Sequence, residues 1–196
     1  MSKFLYCIRH GLAEHNVNYY KYGKSTFYDP KYVDTSLIPE GFQQVRELRR
    51  GWKDLTNIEL VIVSPLKRTL QTATELFKEH PVSMIALECC REYPMGLQTC
   101  NKRSPRESLK IKYPQVNFDD LQTNYDEMWF PHREETMDEL NSRIEKLKEF
   151  IVARPETHIA LVNHSSFIGQ MKDSHIRYLE NKEEELLHCY PYIMKL

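Results

Sequence analysis

The chain has 196 residues, a formal net charge of −1 at pH 7, and a composition that is 41% hydrophobic and 28% charged. This length suits one domain with a substantial core, and we predict a single domain over residues 1–196. The near-zero net charge excludes the basic excess typical of nucleic-acid-binding proteins. The start MSKFLYCIRH does not resemble a secretory signal, and no apolar run approaches the roughly 18 residues of a membrane span.

Cysteine usage points to a reducing compartment. The cysteines are odd in number and irregularly spaced: Cys7, Cys89, Cys90, Cys100 and Cys189. This spacing argues against a disulfide framework, so we predict a cytoplasmic protein. The chain has no paired CxxC, so we expect no metal, and we expect neither a nucleic-acid nor a membrane partner.

Short β-like runs alternate with longer stretches of helical periodicity. In chain order the predictions are a strand at 3–8, a helix at 40–54, a strand at 58–64, a helix at 68–80, a strand at 82–87, a short helix at 105–112 within an otherwise loop-like segment 91–131, a helix at 134–153, a strand at 158–163, a helix from 165 capped by a serine, and an edge strand within 186–196. Pro65 is expected in the first turn of the helix that follows it. This alternation predicts an α/β fold, a three-layer α/β/α sandwich around a mainly parallel sheet.

Polar side chains that suit an anion follow three of the predicted strands. The first strand runs into Arg9 and His10, the second is followed by Arg68, and the fourth ends at Asn163 and His164. Because the carboxyl ends of parallel strands meet at one edge of a sheet, these groups are expected to converge. Guanidinium groups and helix N-termini bind phosphate, so the sequence predicts a phosphoryl site.

The same stretches resemble a known family. RHG at 9–11, SPLKRTLQTA at 64–73, RE at 91–92 and NHS at 163–165 are similar to the histidine phosphatase superfamily, in its phosphoglycerate-mutase-like branch. RHGLAEHN, CREYPMGLQTCNKR and YPQVNF resemble the plant and fungal mutase-like phosphatases most closely. The resemblance covers nearly the whole chain, with the blocks in family order.

This resemblance implies a mechanism without a cofactor or metal. His10 is the expected nucleophile, and its attack on phosphorus gives a phosphohistidine that water hydrolyses. The phosphoryl oxygens are expected to bind to Arg9, Asn16, Arg68 and His164. The cations among these are also expected to lower the pKa of His10. The implied substrate is a small-molecule phosphate ester; neither its identity nor the oligomeric state is predicted.

The general acid is the least determined role. Glu88 and Glu92 lie four residues apart, and either can reach the site. CRE followed by a glycine resembles the acid segment of the family, so Glu92 is preferred. Glu88 is kept as the alternative, and Glu14 as a more distant one.

Two other functions stay open. One is a cofactor-dependent phosphoglycerate mutase, an isomerase with the same phosphohistidine, although the segment from Glu92 to His164 is short for the lid that a mutase needs. The other is a catalytically inactive phospholigand-binding protein. Both share the fold, and fold alone does not select among them.

Three further features have competing interpretations. CNKRSPR at 100–106 fits the C-x5-R pattern of cysteine-dependent phosphatases, but no glycine or β-like run accompanies it. Basic residues crowd the same region, either as a rim that attracts anionic substrates or as a solvated helix face; they are Lys102, Arg103, Arg106, Lys110 and Lys112. Tyrosines between 19 and 32 and at 93, 113 and 125 either line a pocket or pack in the core.

Overall fold

The structure is a computed structural model that describes residues 2–174 and 185–196. In this part of the chain six strands form one sheet in the order β4-β3-β2-β5-β1-β6. Their bounds are β1 Phe4–Arg9, β2 Leu60–Val63, β3 Ser83–Ala86, β4 Val116–Asn117, β5 His158–Asn163 and β6 Pro191–Lys195. All neighbours are parallel except β6, which pairs antiparallel with β1 at the edge. The predicted edge strand in the tail is therefore confirmed.

Helices cover both faces of the sheet. Their bounds are α1 Glu14–Tyr22, α2 Pro39–Gly51, α3 Lys67–Leu76, α4 Arg106–Lys112, α5 Met137–Ala153 and α6 Ser165–Asp173, and short 3-10 helices lie at Lys24–Tyr28, Pro30–Tyr32, Leu55–Asn57, Glu88–Cys90 and Thr99–Asn101. Within the described ranges, none of these helices has the length and apolar character needed to cross a membrane.

Alternate strand residues supply two separate cores. In β2, Val61 and Val63 pack with α2, α3 and α4, whereas Leu60 and Ile62 pack with α5 and α6. This is the period-2 alternation of a strand covered on both sides. The three-layer α/β/α sandwich around a mainly parallel sheet is thus confirmed.

Local boundaries differ from the predictions in ways that follow from capping. Pro65 lies outside α3, because Leu66 is the N-cap residue and the helix starts at Lys67. The N-cap of α6 is His164 rather than a serine, and its side chain makes no capping bond. Strand β4 and helix α1 were not predicted, since β4 has only two residues and the buried residues of α1, His15 and Asn16, are polar.

Candidate active site

A small cavity of about 60 Å³ lies at the carboxyl ends of β1 and β5. It is lined by Arg9, His10, His15, Asn16, Phe27, Arg68, Glu92, Tyr93, Gln98, Cys100, Asn101, Ser165 and Ser166. Five of the six predicted site residues are therefore brought together here, and the sixth, His164, lies just behind them. The predicted convergence of strand ends is what creates the cavity.

His10 is held in one defined tautomer. Its Nδ1 lies 2.7 Å from the carbonyl oxygen of Gly11. A carbonyl oxygen only accepts, so Nδ1 carries the proton and Nε2 carries the lone pair. That lone pair accepts a bond from Nε of Arg68 at 3.2 Å. The ring thus presents an unprotonated Nε2 beside a guanidinium group.

Burial keeps this imidazole neutral. His10 is buried, and burial followed by the charge of Arg68 lowers its pKa well below the ordinary 6.5. Desolvation penalises the charged form of the ring, and a neighbouring cation penalises it further. The expected lowering of the His10 pKa has burial as its largest cause and the charge of Arg68 as the second, and His164, His188 and Arg9 follow.

Backbone packing fixes the turn that carries His10. A Cβ atom on Gly11 would lie 2.6 Å from the carbonyl oxygen of Gly41 in α2, so any side chain at Gly11 would clash with backbone. The Gly11 amide donates to Oγ1 of Thr72 at 3.0 Å, and that hydroxyl donates to the Arg68 carbonyl at 2.8 Å. Glycine is therefore required here by close helix packing, and Thr72 ties the turn to α3.

Arg68 is oriented by three different partners. Its Nε meets His10, its first terminal nitrogen donates to the Cys100 carbonyl at 2.8 Å, and its second donates to Oδ1 of Asn101 at 3.0 Å. The side chain is almost fully buried. Its guanidinium plane is consequently fixed against the floor of the cavity.

Arg9 reaches the cavity from the end of β1. One terminal nitrogen donates to the Leu186 carbonyl at 2.6 Å and pairs with the carboxylate of Glu185. Its Nε is buried and has no hydrogen-bond partner among the described residues. Glu185 and Leu186 thus anchor Arg9, whereas its Nε–H group has no protein acceptor in the described structure.

His164 lies against His10 and does not line the cavity. Its ring centroid is 5.2 Å from that of His10, and its Nε2 is 2.8 Å from Oγ of Ser64. Its Nδ1 is buried and has no partner in the described part of the chain. Burial, followed by the charge of Arg68, holds the pKa of His164 well below 6.5.

Asn16 is placed on the cavity wall by α1. Its Oδ1 accepts from the Ala13 amide at 3.1 Å, which fixes which end of the amide carries the NH2 group. The NH2 group then donates to Nε2 of His15 at 3.2 Å, and Nδ1 of His15 lies 2.5 Å from the Thr35 hydroxyl. One amide hydrogen of Asn16 is left for a ligand, because the NH2 group has two.

The two candidate acids have different surroundings. Glu92 lines the cavity, and its Oε1 accepts from the amides of Tyr93 at 2.8 Å and Phe167 at 3.3 Å. Burial raises its pKa, although Arg68 acts in the opposite direction. Glu88 does not line the cavity, and its Oε1 accepts from Nε of Arg103 at 2.6 Å. A carboxyl with a raised pKa at the cavity suits a general acid, so the geometry favours Glu92.

Cys100 lines the cavity but lacks the surroundings of a nucleophilic cysteine. Burial raises the pKa of its thiol to about 12, so the thiol is protonated at pH 7. The arginine of the C-x5-R pattern, Arg106, points elsewhere and donates to the Leu121 carbonyl at 2.9 Å. Cys100 itself lies in the short 3-10 helix Thr99–Asn101, and not in a loop between a strand and a helix.

The basic run after Cys100 does not form a rim around the cavity. Arg103 is buried against Glu88, and Nζ of Lys102 lies 4.7 Å from the ring centroid of Trp129. None of the five basic residues of the run lines the cavity. Of the tyrosines considered, Tyr93 lines the cavity and Tyr113 is buried in the core.

His188 is a neighbour of His10 that the sequence did not indicate. Its Nδ1 donates to the His10 carbonyl at 2.5 Å, and the two ring centroids are 5.5 Å apart. Burial, followed by the charge of Arg9, lowers its pKa to about 3. The only sequence signal for this contact was the predicted edge strand in the tail, which brings His188 beside β1.

Potential metal ligands do not cluster in the described ranges: no group of three His, Cys, Asp or Glu side chains is placed to hold an ion.

Comparison with known proteins places the chain in one family over nearly its whole length. The sequence profile of the histidine phosphatase superfamily (branch 1) matches residues 5–186. A phosphoglycerate mutase-like protein of Arabidopsis thaliana is 32% identical over 88% of this chain and 74% of its own length. Phosphoglycerate mutase-like protein 1 of the same plant is 30% identical, over 98% of this chain and 75% of its own length. The crystal structure of the ecdysone phosphate phosphatase from Bombix mori in complex with tungstate has a TM-score of 0.59 at 16% identity, over 98% of this chain and 88% of that one, and so shares the fold. The chain belongs to the histidine phosphatase superfamily.

Proposed function

We propose that the protein hydrolyses phosphate monoesters through a phosphohistidine on His10, with Glu92 as general acid and then general base. The observation that carries this proposal is the state of the His10 ring. Its Nδ1–H is held by its neighbour's carbonyl, and its neutral Nε2 meets Arg68 on the cavity floor. Attack on phosphorus requires a neutral imidazole with an available lone pair.

In the first step Nε2 of His10 forms a bond to phosphorus as the bond between phosphorus and the ester oxygen breaks. The carboxyl group of Glu92 gives its proton to the departing oxygen, so the leaving group departs as a neutral alcohol. The raised pKa of Glu92 favours the protonated form that this step needs.

In the second step the Glu92 carboxylate takes a proton from water, and the resulting hydroxide attacks phosphorus. The bond from phosphorus to Nε2 breaks, inorganic phosphate leaves, and Glu92 is protonated again. The charge on the equatorial oxygens is met by Arg9 and Arg68, with the free amide hydrogen of Asn16 as a further donor. No cofactor or metal takes part in these steps, which use only groups of this chain.

The mutase is the second candidate, favoured by the names of the plant relatives. Incubation with 3-phosphoglycerate and a trace of 2,3-bisphosphoglycerate distinguishes the two reactions. A hydrolase releases inorganic phosphate, whereas a mutase yields 2-phosphoglycerate.

Hydrolysis of p-nitrophenyl phosphate in the presence of EDTA tests the proposal. The proteins are the wild type, His10→Ala and Cys100→Ser, each checked for a cooperative thermal transition. We expect activity in the wild type and in Cys100→Ser, and loss in His10→Ala. Activity lost in Cys100→Ser alone would identify a cysteine mechanism. An inactive wild type that still binds phosphate esters would support the binding protein.

The free state of all five cysteines also leads us to propose a cytoplasmic location, tested by cell fractionation.

A further inference from the structure

The cavity has a buried floor and a partly exposed rim. The lining side chains that keep partial exposure are Phe27, Glu92, Tyr93, Gln98 and Ser165. Arg9, His10 and Arg68 are all nearly fully buried, so a phosphoryl group must sit on the floor. The rest of an ester that projects from this position therefore meets the rim.

Phe27 is held rigidly at this rim. It belongs to the 3-10 helix Lys24–Tyr28, and the Thr99 hydroxyl lies 3.2 Å from its carbonyl oxygen and 2.7 Å from that of Asp29. Its ring stacks on Tyr19 with centroids 4.8 Å apart and planes 3° apart. One face is thus covered, and the remaining apolar surface faces the cavity without further ordering on binding.

Tyr93 supplies a second ring. It is half-buried, and it packs against the core cluster that contains α5 and α6. The rim therefore has two aromatic rings, one amide, one hydroxyl and one carboxyl group.

Positive charge is confined to the floor. Among the described residues that line the cavity, the cationic side chains are Arg9 and Arg68, and both face the phosphoryl position. The nearby Lys102 and Arg103 are directed to Trp129 and Glu88 instead. A carboxylate or second phosphate on the leaving group would lie near Glu92 and would find no cation to pair with among the described rim residues, at a cost in desolvation.

We propose that the rim selects uncharged leaving groups with a flat apolar surface, and that Phe27 is the residue that determines this preference. The proposal rests on the hydrolase function in one respect, namely that the phosphoryl group occupies the floor.

Two matched substrate pairs test the preference by kcat/KM. The first is 2-phenylethyl phosphate against n-propyl phosphate, both alkyl esters that differ in the ring. The second is glycerol 3-phosphate against 3-phosphoglycerate, which differ in the carboxylate. We expect about a tenfold preference for the ring-bearing ester, the size of an aromatic contact with its buried area. The neutral glycerol ester should likewise be preferred.

Phe27→Leu keeps apolar bulk and removes the ring. We expect it to reduce the preference for the ring-bearing ester to about twofold, because kcat/KM falls more for 2-phenylethyl phosphate than for n-propyl phosphate. The control is Phe4→Leu, because Phe4 stacks on His158 at the amino end of β1, away from the cavity. Equal losses for both esters in Phe27→Leu, or a preference for 3-phosphoglycerate, would overturn the proposal.

Binding separates this proposal from the hydrolase function. Affinities of 3-phenylpropylphosphonate and propylphosphonate, measured by calorimetry, need no turnover. Tighter binding of the phenyl compound that Phe27→Leu abolishes supports the proposal even if no ester is hydrolysed, in which case the hydrolase function alone fails. Hydrolysis without discrimination between the phosphonates overturns the rim proposal alone.

Discussion

Replacement of Glu92 by Gln removes one transferable proton and changes the shape of the side chain little. The Glu92 oxygen accepts amide hydrogens from Tyr93 and Phe167 at 2.8 and 3.3 Å. A glutamine oxygen accepts the same two bonds, so the side chain should keep its position. What is lost is the acid that protonates the leaving oxygen and the base that activates water.

The expected cost depends on the leaving group. General acid catalysis contributes about 10²–10⁴-fold, which corresponds to about 2.7–5.5 kcal/mol of transition-state free energy. An alkyl phosphate should show this full loss in kcat/KM, which reports the step in which the leaving group departs. p-Nitrophenolate needs little protonation, so kcat/KM for p-nitrophenyl phosphate should fall at most about tenfold, whereas its kcat also falls because Glu92 no longer activates water in the second step.

Glu88→Gln is the matched control. Glu88 faces Arg103 at 2.6 Å and Arg91 at 3.7 Å, both buried, and does not line the cavity. Its replacement should lower the free energy of unfolding, by up to about 3–5 kcal/mol for a broken buried pair, with no dependence of the rate on leaving group. A leaving-group-dependent loss in Glu88→Gln and none in Glu92→Gln would refute the assignment of Glu92.

Three further predictions follow from the cavity. Arg68→Ala should reduce kcat by about 10³-fold. Arg68→Lys should lose nearly as much, because one ammonium group cannot replace the three hydrogen bonds of the guanidinium group. Single-turnover rates test both variants, and a near-normal rate would remove Arg68 from the site. His188→Leu should lose about tenfold in kcat, because the hydrogen bond to the His10 carbonyl is lost. His188→Asn should retain activity, because its amide can donate in place of Nδ1. Equal kcat values for the two variants would exclude this positioning role of His188. The pKa of His188 is about 3 in the folded state against 6.5 as its ordinary value, so the unfolded state binds the proton first and stability falls as pH drops below 6.5. Between pH 7 and pH 5 the free energy of unfolding, measured in urea, should therefore fall by about 2 kcal/mol less in His188→Asn than in the wild type. An equal fall in the two proteins would contradict the lowered pKa of His188.

The pH–rate profile should reflect the protonation states of His10 and Glu92. His10 must be neutral and Glu92 protonated, and their pKa values are lowered and raised respectively. Activity toward an alkyl phosphate should therefore fall as pH rises through the Glu92 pKa, and Glu92→Gln should lack this limb.

The central strands could be predicted because both of their faces are buried. Residues 58–64 and 158–163 form apolar runs, a pattern typical of a strand that is covered on both faces. Strands β2 and β5 lie within these runs. Helix α1 could not be predicted in this way, because its buried residues His15 and Asn16 are polar and serve the cavity instead of the core. Strand β4 is too short to show a period.

Part of the site depended on contacts that spacing does not encode. Arg9, His10 and Arg68 follow strands that end at one edge, so their meeting was predictable. Glu88 and Glu92 both follow the end of β3, and the sequence did not show that Arg103 binds Glu88 whereas Glu92 lines the cavity. His188 contacts His10 from 178 residues away, which required the register of β6 on β1.

The most direct test of the account is detection of the phosphoryl group on the enzyme. The enzyme is mixed rapidly with p-nitrophenyl phosphate in the presence of EDTA and is quenched under conditions that preserve the bond between phosphorus and nitrogen. Mass spectrometry of the peptides then locates any adduct. The account predicts a phosphoryl group on the peptide that contains His10, formed at the rate of nitrophenolate release and absent in His10→Ala. Turnover without an adduct, or an adduct on Cys100, would contradict it.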